Sequence, residues 1–290
     1  MAIVFHHNDL DGHCAGAIVG KWIQENFPNV EPKYVEVDWG DDIDLSVVRK
    51  DEEVYIVDFY FSLELMQQLV KITSFIYVFD HHKSATEVTS QYPKEVDCHC
   101  DPESNFSGCE LVWKHLYPDK QMPAAVTLIG DRDSWKWVYG KQTASFNEGM
   151  RMYPHQPQDS IWVDLLDGDI MVASGIQVAG DICLKYRDKI CEEYRDLWGY
   201  EAELFGYKCY VLNFVLPGAS SEMFGEKLQE YDICVGTVFK NGTWKLSFKS
   251  DDEIDVSKIA KKFPGGGGHK NAAGAEGLKE LPFKMIQGKK

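Results

Sequence analysis

The apolar, strand-like segments of this chain repeatedly end in acidic residues or histidines. The four ends are His7-Asn8-Asp9-Leu10-Asp11-Gly12, Asp58, Asp80-His81-His82 and Asp131. In an open α/β sheet, the carboxyl ends of the strands line the crevice in which ligands bind. The pattern therefore predicts that these distant segments meet at one crevice, where carboxylates and imidazoles are numerous enough to hold two divalent metal ions.

Strand-like and helix-like segments alternate through the first half of the chain. The strand-like segments are residues 2–7, 33–38, 53–58, 75–80 and 124–130. Helical spacing of apolar residues is found between them, at 14–27, 62–72 and 107–116. Alternation of this kind predicts an α/β fold with a doubly wound parallel sheet, which has helices on both faces.

The second half of the chain predicts a further, smaller domain. An amphipathic pattern over 175–198 predicts a long helix. After it we predict strands at 208–215, 232–239 and 243–249, a hairpin turn at Asn241-Gly242 and a helix at 221–229. The predicted organisation is an N-terminal doubly wound domain over 1–174, a helical linker over 175–204 and a mixed α/β domain over 205–290.

Charge and cysteine usage limit the partners and the compartment. The 290 residues carry a formal net charge of −16, and an acidic surface disfavours long or duplex nucleic acids. No apolar run is long enough to span a bilayer, and residues 1–5 are typical of a first strand rather than a secretion signal. With eight scattered cysteines, we expect a cytoplasmic protein with reduced thiols. A zinc site at Cys98-His99-Cys100 with Cys109 is disfavoured, because a clear second ligand pair is missing.

The spacing within the strand ends indicates how two ions would be held. Asp9 and Asp11 lie two positions apart, so an extended chain places both carboxylates on one side. Asp58 is the natural bridge between the two ions. The remaining ligands are expected to be His81 and Asp131 for one ion and His7, or alternatively His6, for the other. Mixed carboxylate and imidazole ligands favour Mn²⁺, while Mg²⁺, Co²⁺ and Zn²⁺ stay open.

Further residues are candidates for contacts with a phosphate group. Asp80 is expected to orient an imidazole, and His82 is expected to contact the substrate phosphate or the leaving group. Arg132 is a candidate for gripping phosphate. A glycine run near the C-terminus predicts an anion-binding loop followed by a helix that begins at Asn271, with a flexible linker as the alternative. The predicted loop contacts are Gly266, Gly267, Gly268, His269 and Lys270.

Taken together, these motifs resemble the DHH phosphoesterase superfamily, which is named for the run found here as Asp80-His81-His82. The His-x-Asp-x-Asp-Gly start, Asp58 and Asp131 occur in the order of that family. The glycine run at 265–268, with His269 and Asn271-Ala272-Ala273-Gly274, is similar to the signature of its C-terminal DHH-associated domain. Among the subgroups, the chain looks most like the NrnB-type oligoribonucleases, some of which are also described as cyclic nucleotide phosphodiesterases.

The resemblance implies a site for two manganese ions in the N-terminal domain and a substrate-binding role for the C-terminal one. In this reading the first ion takes His7, Asp9 and Asp58, and the second takes Asp11, Asp58, His81 and Asp131. The implied activity is a phosphodiesterase that uses metal-activated water to hydrolyse short oligonucleotides (nanoRNA) to nucleoside monophosphates.

Two other functions stay open on the sequence alone. One is a hydrolase of a signalling nucleotide, namely a cyclic mononucleotide, a linear dinucleotide or 3′-phosphoadenosine 5′-phosphate. The other, of a different class, is a nucleotide sensor without catalysis. In each case the expected partner is a short oligonucleotide or a small nucleotide rather than a membrane or a long duplex, and a homodimer stays open.

Overall fold

The computed structural model describes residues 2–101, 103–213, 221–251 and 253–286. The chain divides into two compact units, Met1–Cys183 and Leu184–Lys290. The boundary falls inside the long helix that the sequence predicts over 175–198. Each unit has its own sheet and its own apolar core.

The first unit is built on a five-stranded parallel sheet. Its strands are β1 (Ala2–His7), β2 (Pro32–Val37), β3 (Glu53–Val57), β4 (Ile76–Asp80) and β5 (Val96–Cys100). They are arranged in the order β2-β1-β3-β4-β5, and every neighbouring pair is parallel. The strand order reverses between β1 and β3. In open α/β sheets, ligands bind at such a switch point, outside the carboxyl ends of the strands.

Helices cover both faces of this sheet. The helices of the first unit are α1 (Leu10–Asn26), α2 (Leu63–Leu69), α3 (Ala85–Thr89), α4 (Gly108–Leu116), α5 (Ala124–Asp133), α6 (Lys141–Met150), α7 (Ile161–Leu166) and the first part of α8 (Ile170–Trp198). Alternate residues of β1 point to opposite sides of the sheet. Val4 belongs to the apolar cluster that contains Ile18 of α1, whereas Ile3 belongs to the cluster that contains Met66 of α2. The predicted α/β fold with a doubly wound parallel sheet is therefore confirmed.

Several elements of the first unit differ from the sequence prediction, which also lacks helices α3, α6 and α7. Residues 124–130, predicted as a strand, belong to α5, which begins after Pro123 and ends at Asp133. Most of this helix is buried, and a short buried apolar run has the same pattern in a strand and in a helix. The fifth strand, β5, has the sequence VDCHC, which contains few strong strand formers, and the sequence does not predict it.

The second unit contains a seven-stranded mixed sheet. Its strands are β6 (Gly199–Leu204), β7 (Tyr207–Leu212), β8 (Ile233–Lys240), β9 (Thr243–Lys249), β10 (Gly267–Gly268), β11 (Ala272–Leu278) and β12 (Lys284–Met285). The order is β10-β11-β9-β8-β7-β6-β12, with β7 and β8 parallel and the other pairs antiparallel. The predicted mixed α/β character of this half and the predicted hairpin between β8 and β9 are confirmed.

The helices of the second unit are shorter than predicted. The predicted helix at 221–229 is a 3-10 turn at Ser221–Met223 followed by the single turn of α9 (Lys227–Glu230). Helix α10 (Val256–Ala260) packs its apolar residues into the core of this unit. The helix predicted from Asn271 is wrong, since strand β11 begins at Ala272. None of the helices in the described ranges is long and apolar enough to cross a membrane.

Helices α6 and α8 approach each other through two glycines. Gly149 of α6 faces the backbone of Ile176, and Gly180 of α8 faces the carbonyl oxygen of Ser145. A Cβ atom at either glycine would overlap those backbone atoms, which move only if a whole helix shifts. The contact therefore depends on the absence of a side chain at both positions.

We predict that Gly180→Ala lowers the free energy of unfolding by roughly 1–3 kcal/mol, the usual cost of overpacking. Gly175→Ala in the same helix is the matched control, because nothing lies within 4 Å of a Cβ atom at Gly175. This control should raise the free energy of unfolding by roughly 0.5–1 kcal/mol through helix propensity alone. Urea unfolding measures both changes, and equal stability of the two variants would contradict the close approach of α6 and α8.

Candidate metal centre

Helix α1 begins directly after β1 and brings two carboxylates to the carboxyl end of the sheet. Asp9 caps the helix, since its Oδ1 accepts a hydrogen bond of 2.9 Å from the Gly12 amide. Asp11 lies buried in the first turn, where the Ser107 hydroxyl and the Cys109 amide donate to its Oδ1 over 2.8 and 3.2 Å. Its Oδ2 accepts no hydrogen bond from the described residues. One oxygen of Asp11 is thus fixed by the protein, while no described residue donates a hydrogen bond to the other.

Asp58 follows β3 and is almost wholly buried, with 1% of its surface exposed. Neither of its carboxylate oxygens accepts a hydrogen bond within the described ranges. The His7 Nδ1 atom lies 3.7 Å from Asp58 Oδ2, and the His81 Nε2 atom lies 3.2 Å from Asp58 Oδ1. Asp58 therefore lies between the two histidines, which is where a bridging ligand is needed.

Helix α4 approaches these carboxylates closely at Gly108. A Cβ atom there would lie 2.6 Å from Asp58 Cβ and 2.9 Å from Asp11 Oδ2. Only glycine lets the start of α4 come near enough for Ser107 to bind Asp11. Ser107 and Glu110 also form a capping box, which fixes the first residue of α4.

Strand β4 ends in Asp80-His81-His82, and the three side chains have different environments. Asp80 Oδ1 accepts hydrogen bonds from His82 Nδ1 over 2.6 Å and from the His81 amide over 2.9 Å. Asp80 thus orients the imidazole of His82. The His81 Nε2 atom faces carboxylates instead, 3.2 Å from Asp58 Oδ1 and 3.1 Å from Asp133 Oδ2. The two rings remain neighbours, with centroids 4.7 Å apart.

Asp133, and not Asp131, joins this group of side chains. The carboxylate of Asp131 accepts hydrogen bonds from the amides of Val138 and Tyr139, over 2.8 and 3.2 Å, and from the Thr143 hydroxyl. The sequence-based placement of Asp131 assumed a strand that ends there. Because the segment is a helix, residues 131 and 133 point about 200° apart, and the second of them faces His81. The placement of Asp131 among the ligands is therefore corrected to Asp133.

The rings of His6 and His7 lie in different environments. The ring of His6 is buried against His13, with centroids 5.3 Å apart, and its Nδ1 lies 2.9 Å from the His7 carbonyl oxygen. The ring of His7 is in the group, with Nδ1 3.0 Å from Asp9 Oδ2. Asp38 adds a carboxylate that the sequence analysis missed, 3.5 Å from His7 Nε2. The available signal was its position one residue after β2, which is a further strand end.

The side chains form two sets that meet at Asp58. His7, Asp9 and Asp58 place one ligand atom each within 4.8 Å of one another. A second set by the same measure consists of Asp11, His81 and Asp133. Asp58 also belongs to a third set, with His81 and His82. Apart from the exchange of Asp131 for Asp133, this division is the one that the sequence predicts for two ions.

Crowding of the carboxylates changes several pKa values. Burial, followed by the charge of Asp11, raises the pKa of Asp58 well above its usual 3.8. The same two causes raise the pKa of Asp133 to about 8. Contacts with Asp58 and then with Asp9 raise the pKa of His7 to about 10. In the bare protein, protons must therefore neutralise part of the site, and divalent cations are the natural replacement for them.

The geometry fits divalent ions. Five buried carboxylate oxygens have no hydrogen-bond partner among the described residues: Asp11 Oδ2, both oxygens of Asp58, Asp80 Oδ2 and Asp133 Oδ2. His81 Nε2 lies 3.2 and 3.1 Å from two of them without forming a hydrogen bond to either. Two ligands that each lie about 2.1 Å from one ion, at angles of about 90–109°, are separated by about 3.0–3.4 Å. The atoms thus have the spacing of ligands that share an ion.

Arg132, a predicted phosphate contact, lies between the two candidate aspartates of α5. Its guanidinium carbon is 4.4 Å from the ring centre of Trp135 and 5.0 Å from that of Trp137, within cation–π range. Both tryptophans have left-handed backbone, with φ of 53° and 55°. The segment 134–139, which contains both tryptophans, is held in place by Asp131, because the Asp131 carboxylate accepts hydrogen bonds from the Val138 and Tyr139 amides. The phosphate contact of Arg132 itself stays a prediction.

The glycine run has a defined structure in the second unit. Gly267 and Gly268 form β10, which pairs with β11, and Gly266 packs against the backbone of Ala260 in α10. His269 and Lys270 are exposed in the turn between β10 and β11. The predicted contribution from a helix N-terminus at Asn271 is absent, because β11 follows instead. The predicted contacts of the five residues with substrate stay predictions.

We predict that Asp133→Asn weakens Mn²⁺ binding at least about tenfold, because even outer-sphere partners of a metal usually contribute that much. The matched substitution Asp131→Asn should keep the Mn²⁺ affinity. It should instead lower the free energy of unfolding by roughly 1–3 kcal/mol, since an amide NH₂ group would face backbone N–H donors. Calorimetric titration with Mn²⁺ and urea unfolding measure the two effects. Loss of Mn²⁺ binding in the Asp131 variant alone would contradict the placement of Asp133.

One stretch of the second unit matches a known protein family. Residues 208–284 match the family described as the DHHA1 domain. An uncharacterized protein of Acanthamoeba polyphaga mimivirus is 27% identical over 247 residues, which is 82% of this chain and 56% of the relative. The chain therefore spans little more than half the length of that relative.

Solved structures with similar folds are also known. The pGpG-specific phosphodiesterase PggH from Vibrio cholerae is similar with a TM-score of 0.53 and 14% identity, over 95% of this chain and 92% of that one. A DHH domain described as belonging to a family of ribosomal proteins has a TM-score of 0.56 and 17% identity, over 94% and 82% of the two chains. Residues 208–284 of the chain therefore match the DHHA1 domain, and the chain shares its fold with these two solved structures.

Proposed function

We propose that this protein is a metal-dependent phosphodiesterase that hydrolyses short oligonucleotides to nucleoside monophosphates. One observation carries the proposal: side chains from β1, α1, β3, β4 and α5 meet at the switch point of the sheet with buried oxygens that have no hydrogen-bond partner among the described residues. The residues are His7, Asp9, Asp11, Asp58, His81 and Asp133. A site of this composition supports metal-assisted hydrolysis at a phosphorus atom.

The roles of the residues follow from their contacts. When bound, two divalent ions supply charge neutralisation for the phosphate and a lowered pKa for water. His82 is held by Asp80 through Nδ1, which fixes the tautomer and leaves Nε2 as the atom that can exchange a proton. We assign His82 to the substrate phosphate or to the leaving oxygen. In the same proposal, Arg132 binds another phosphate or a base of the substrate, and a substrate contact is assigned separately to the 266–270 turn of the second unit.

Charge favours a short substrate. The chain carries a formal net charge of −16, so the protein as a whole repels a long polyanion. A linear dinucleotide is the shortest oligonucleotide, and the fold similarity to a pGpG-specific phosphodiesterase supports including it in the substrate class. The complete set of candidate ligands argues against a nucleotide sensor without catalysis, because a sensor has no need for every carboxylate.

Product analysis with Mn²⁺ tests the substrate class. We expect pGpG and a five-nucleotide RNA to yield nucleoside monophosphates, and cyclic AMP and 3′-phosphoadenosine 5′-phosphate to be hydrolysed more slowly. Preferred hydrolysis of cyclic AMP or of the bisphosphorylated nucleotide would replace this function by that of a signalling-nucleotide hydrolase. Nucleotide binding without any product, in protein shown to hold Mn²⁺, would support the sensor.

We predict that His82→Ala lowers kcat for pGpG by about 10²–10⁴, the usual contribution of a group that transfers a proton. Mn²⁺ affinity should change little, because His82 is assigned to the substrate.

We predict that Asp58→Asn removes both turnover and tight Mn²⁺ binding. The metal-free variant should stay at least as stable as the native protein, since one buried negative charge is lost. Asp44→Asn, an exposed carboxylate that caps a 3-10 turn, is the control. Unchanged turnover of the Asp58 variant would refute the site.

A further inference from the structure

A second group of metal-ligating side chains lies on strand β5 and helix α4. Asp97 and His99 are on one face of β5, and His115 is in the last turn of α4. The three residues place one ligand atom each within 4.8 Å of one another. Cys98 and Cys100, which alternate with them along β5, pack with the apolar cluster on the opposite side of the sheet. The group is therefore two imidazoles and one carboxylate, without the cysteines.

The spacing within this group repeats that of the candidate metal centre. The His99 Nε2 atom is 2.9 Å from Asp97 Oδ1, yet this buried nitrogen has no hydrogen-bond partner among the described residues. The two atoms are thus close but not aligned as donor and acceptor. Ligands that each lie about 2.1 Å from a shared ion, at right angles, are about 3.0 Å apart. In the candidate metal centre, His81 Nε2 likewise lies close to carboxylate oxygens of Asp58 and Asp133 without forming a hydrogen bond to either.

Both imidazoles are held in place by one buried phenylalanine. The ring of His99 stacks on Phe79, with centroids 5.1 Å apart and planes at 15°. The ring of His115 meets Phe79 edge-on, also at 5.1 Å, and lies 4.0 Å from the ring of His99. A ligand pair of this kind loses little conformational freedom when an ion binds.

We propose that Asp97, His99 and His115 form a third cation site that binds a transition metal ion, with Zn²⁺ as the expected ion. Imidazole ligands favour Zn²⁺ over Mg²⁺ and Ca²⁺, and one carboxylate completes three protein ligands. Asp97 and His115 are exposed, so the fourth position opens to solvent. A site with three protein ligands and one open position exchanges its ion more readily than a closed structural site. The assignment is independent of the proposed phosphodiesterase activity.

The test is the number of Zn²⁺ ions that the full chain retains. Native protein, His115→Gln and Asp97→Asn are dialysed against buffered Zn²⁺, and the bound metal is measured by elemental analysis. Both substitutions are at exposed positions, so the fold should persist, and circular dichroism checks it. Glu95→Gln, an exposed carboxylate just before β5, is the matched control. Because the first centre would also take up Zn²⁺, the difference between variants is decisive rather than the absolute number.

We expect the native protein and Glu95→Gln to retain about one Zn²⁺ per chain more than His115→Gln. Asp97→Asn should retain the ion less tightly, with a midpoint at higher free Zn²⁺. Equal zinc content in all four folded proteins overturns the proposal. Loss of the ion from Glu95→Gln as well would also overturn it, because the binding would then follow surface charge and not the three ligands.

Discussion

The burial of like charges at one point of the sheet is the constraint on which the N-terminal unit depends. Asp11 and Asp58 are nearly inaccessible to solvent, and Asp133 points a buried oxygen toward the same place. Burying an unpaired carboxylate is expensive, and several together raise one another's pKa. The fold tolerates this arrangement only if positive charge is supplied, by protons or by cations. The site is therefore a place where stability is given up for function.

The surrounding structure has features that serve mainly to keep these carboxylates together. Gly108 lets α4 approach Asp58, and the capping box at Ser107 fixes the helix so that its first groups bind one oxygen of Asp11. Asp80 fixes the orientation of the His82 imidazole by accepting a hydrogen bond from its Nδ1. The contacts of Ser107 and of Asp80 each fix one polar atom of a side chain, Asp11 Oδ1 or His82 Nδ1, and leave the other polar atom of that side chain available. Orientation by outer groups is what gives a metal site its geometry.

Much of the fold and of the site was predictable from the sequence, and the failures have physical causes. Asp58 and His81 follow short apolar strands, for which the strand-end rule is reliable. Asp133 was missed because the buried run before it fits a strand and a helix equally well, and two residues of helix reverse the direction of a side chain. The choice between His6 and His7 depends on which face of β1 meets α1, and this is a tertiary property. Strand β11 begins Ala-Ala-Gly-Ala, so its conformation is set by pairing with β9 rather than by propensity.

The distance along the chain between the members of the centre has a consequence for how the protein matures. His7 and Asp133 are far apart in the sequence of the N-terminal unit, with β3 and β4 between them in the chain. Contacts between such remote segments form late, because they require the intervening chain to be ordered first. During synthesis, the growing polypeptide would lack a full set of candidate ligands until α5 had left the ribosome and packed against α1 and α4. Capture of an ion by Asp11, His81 and Asp133 would then require that the chain as far as α5 had folded.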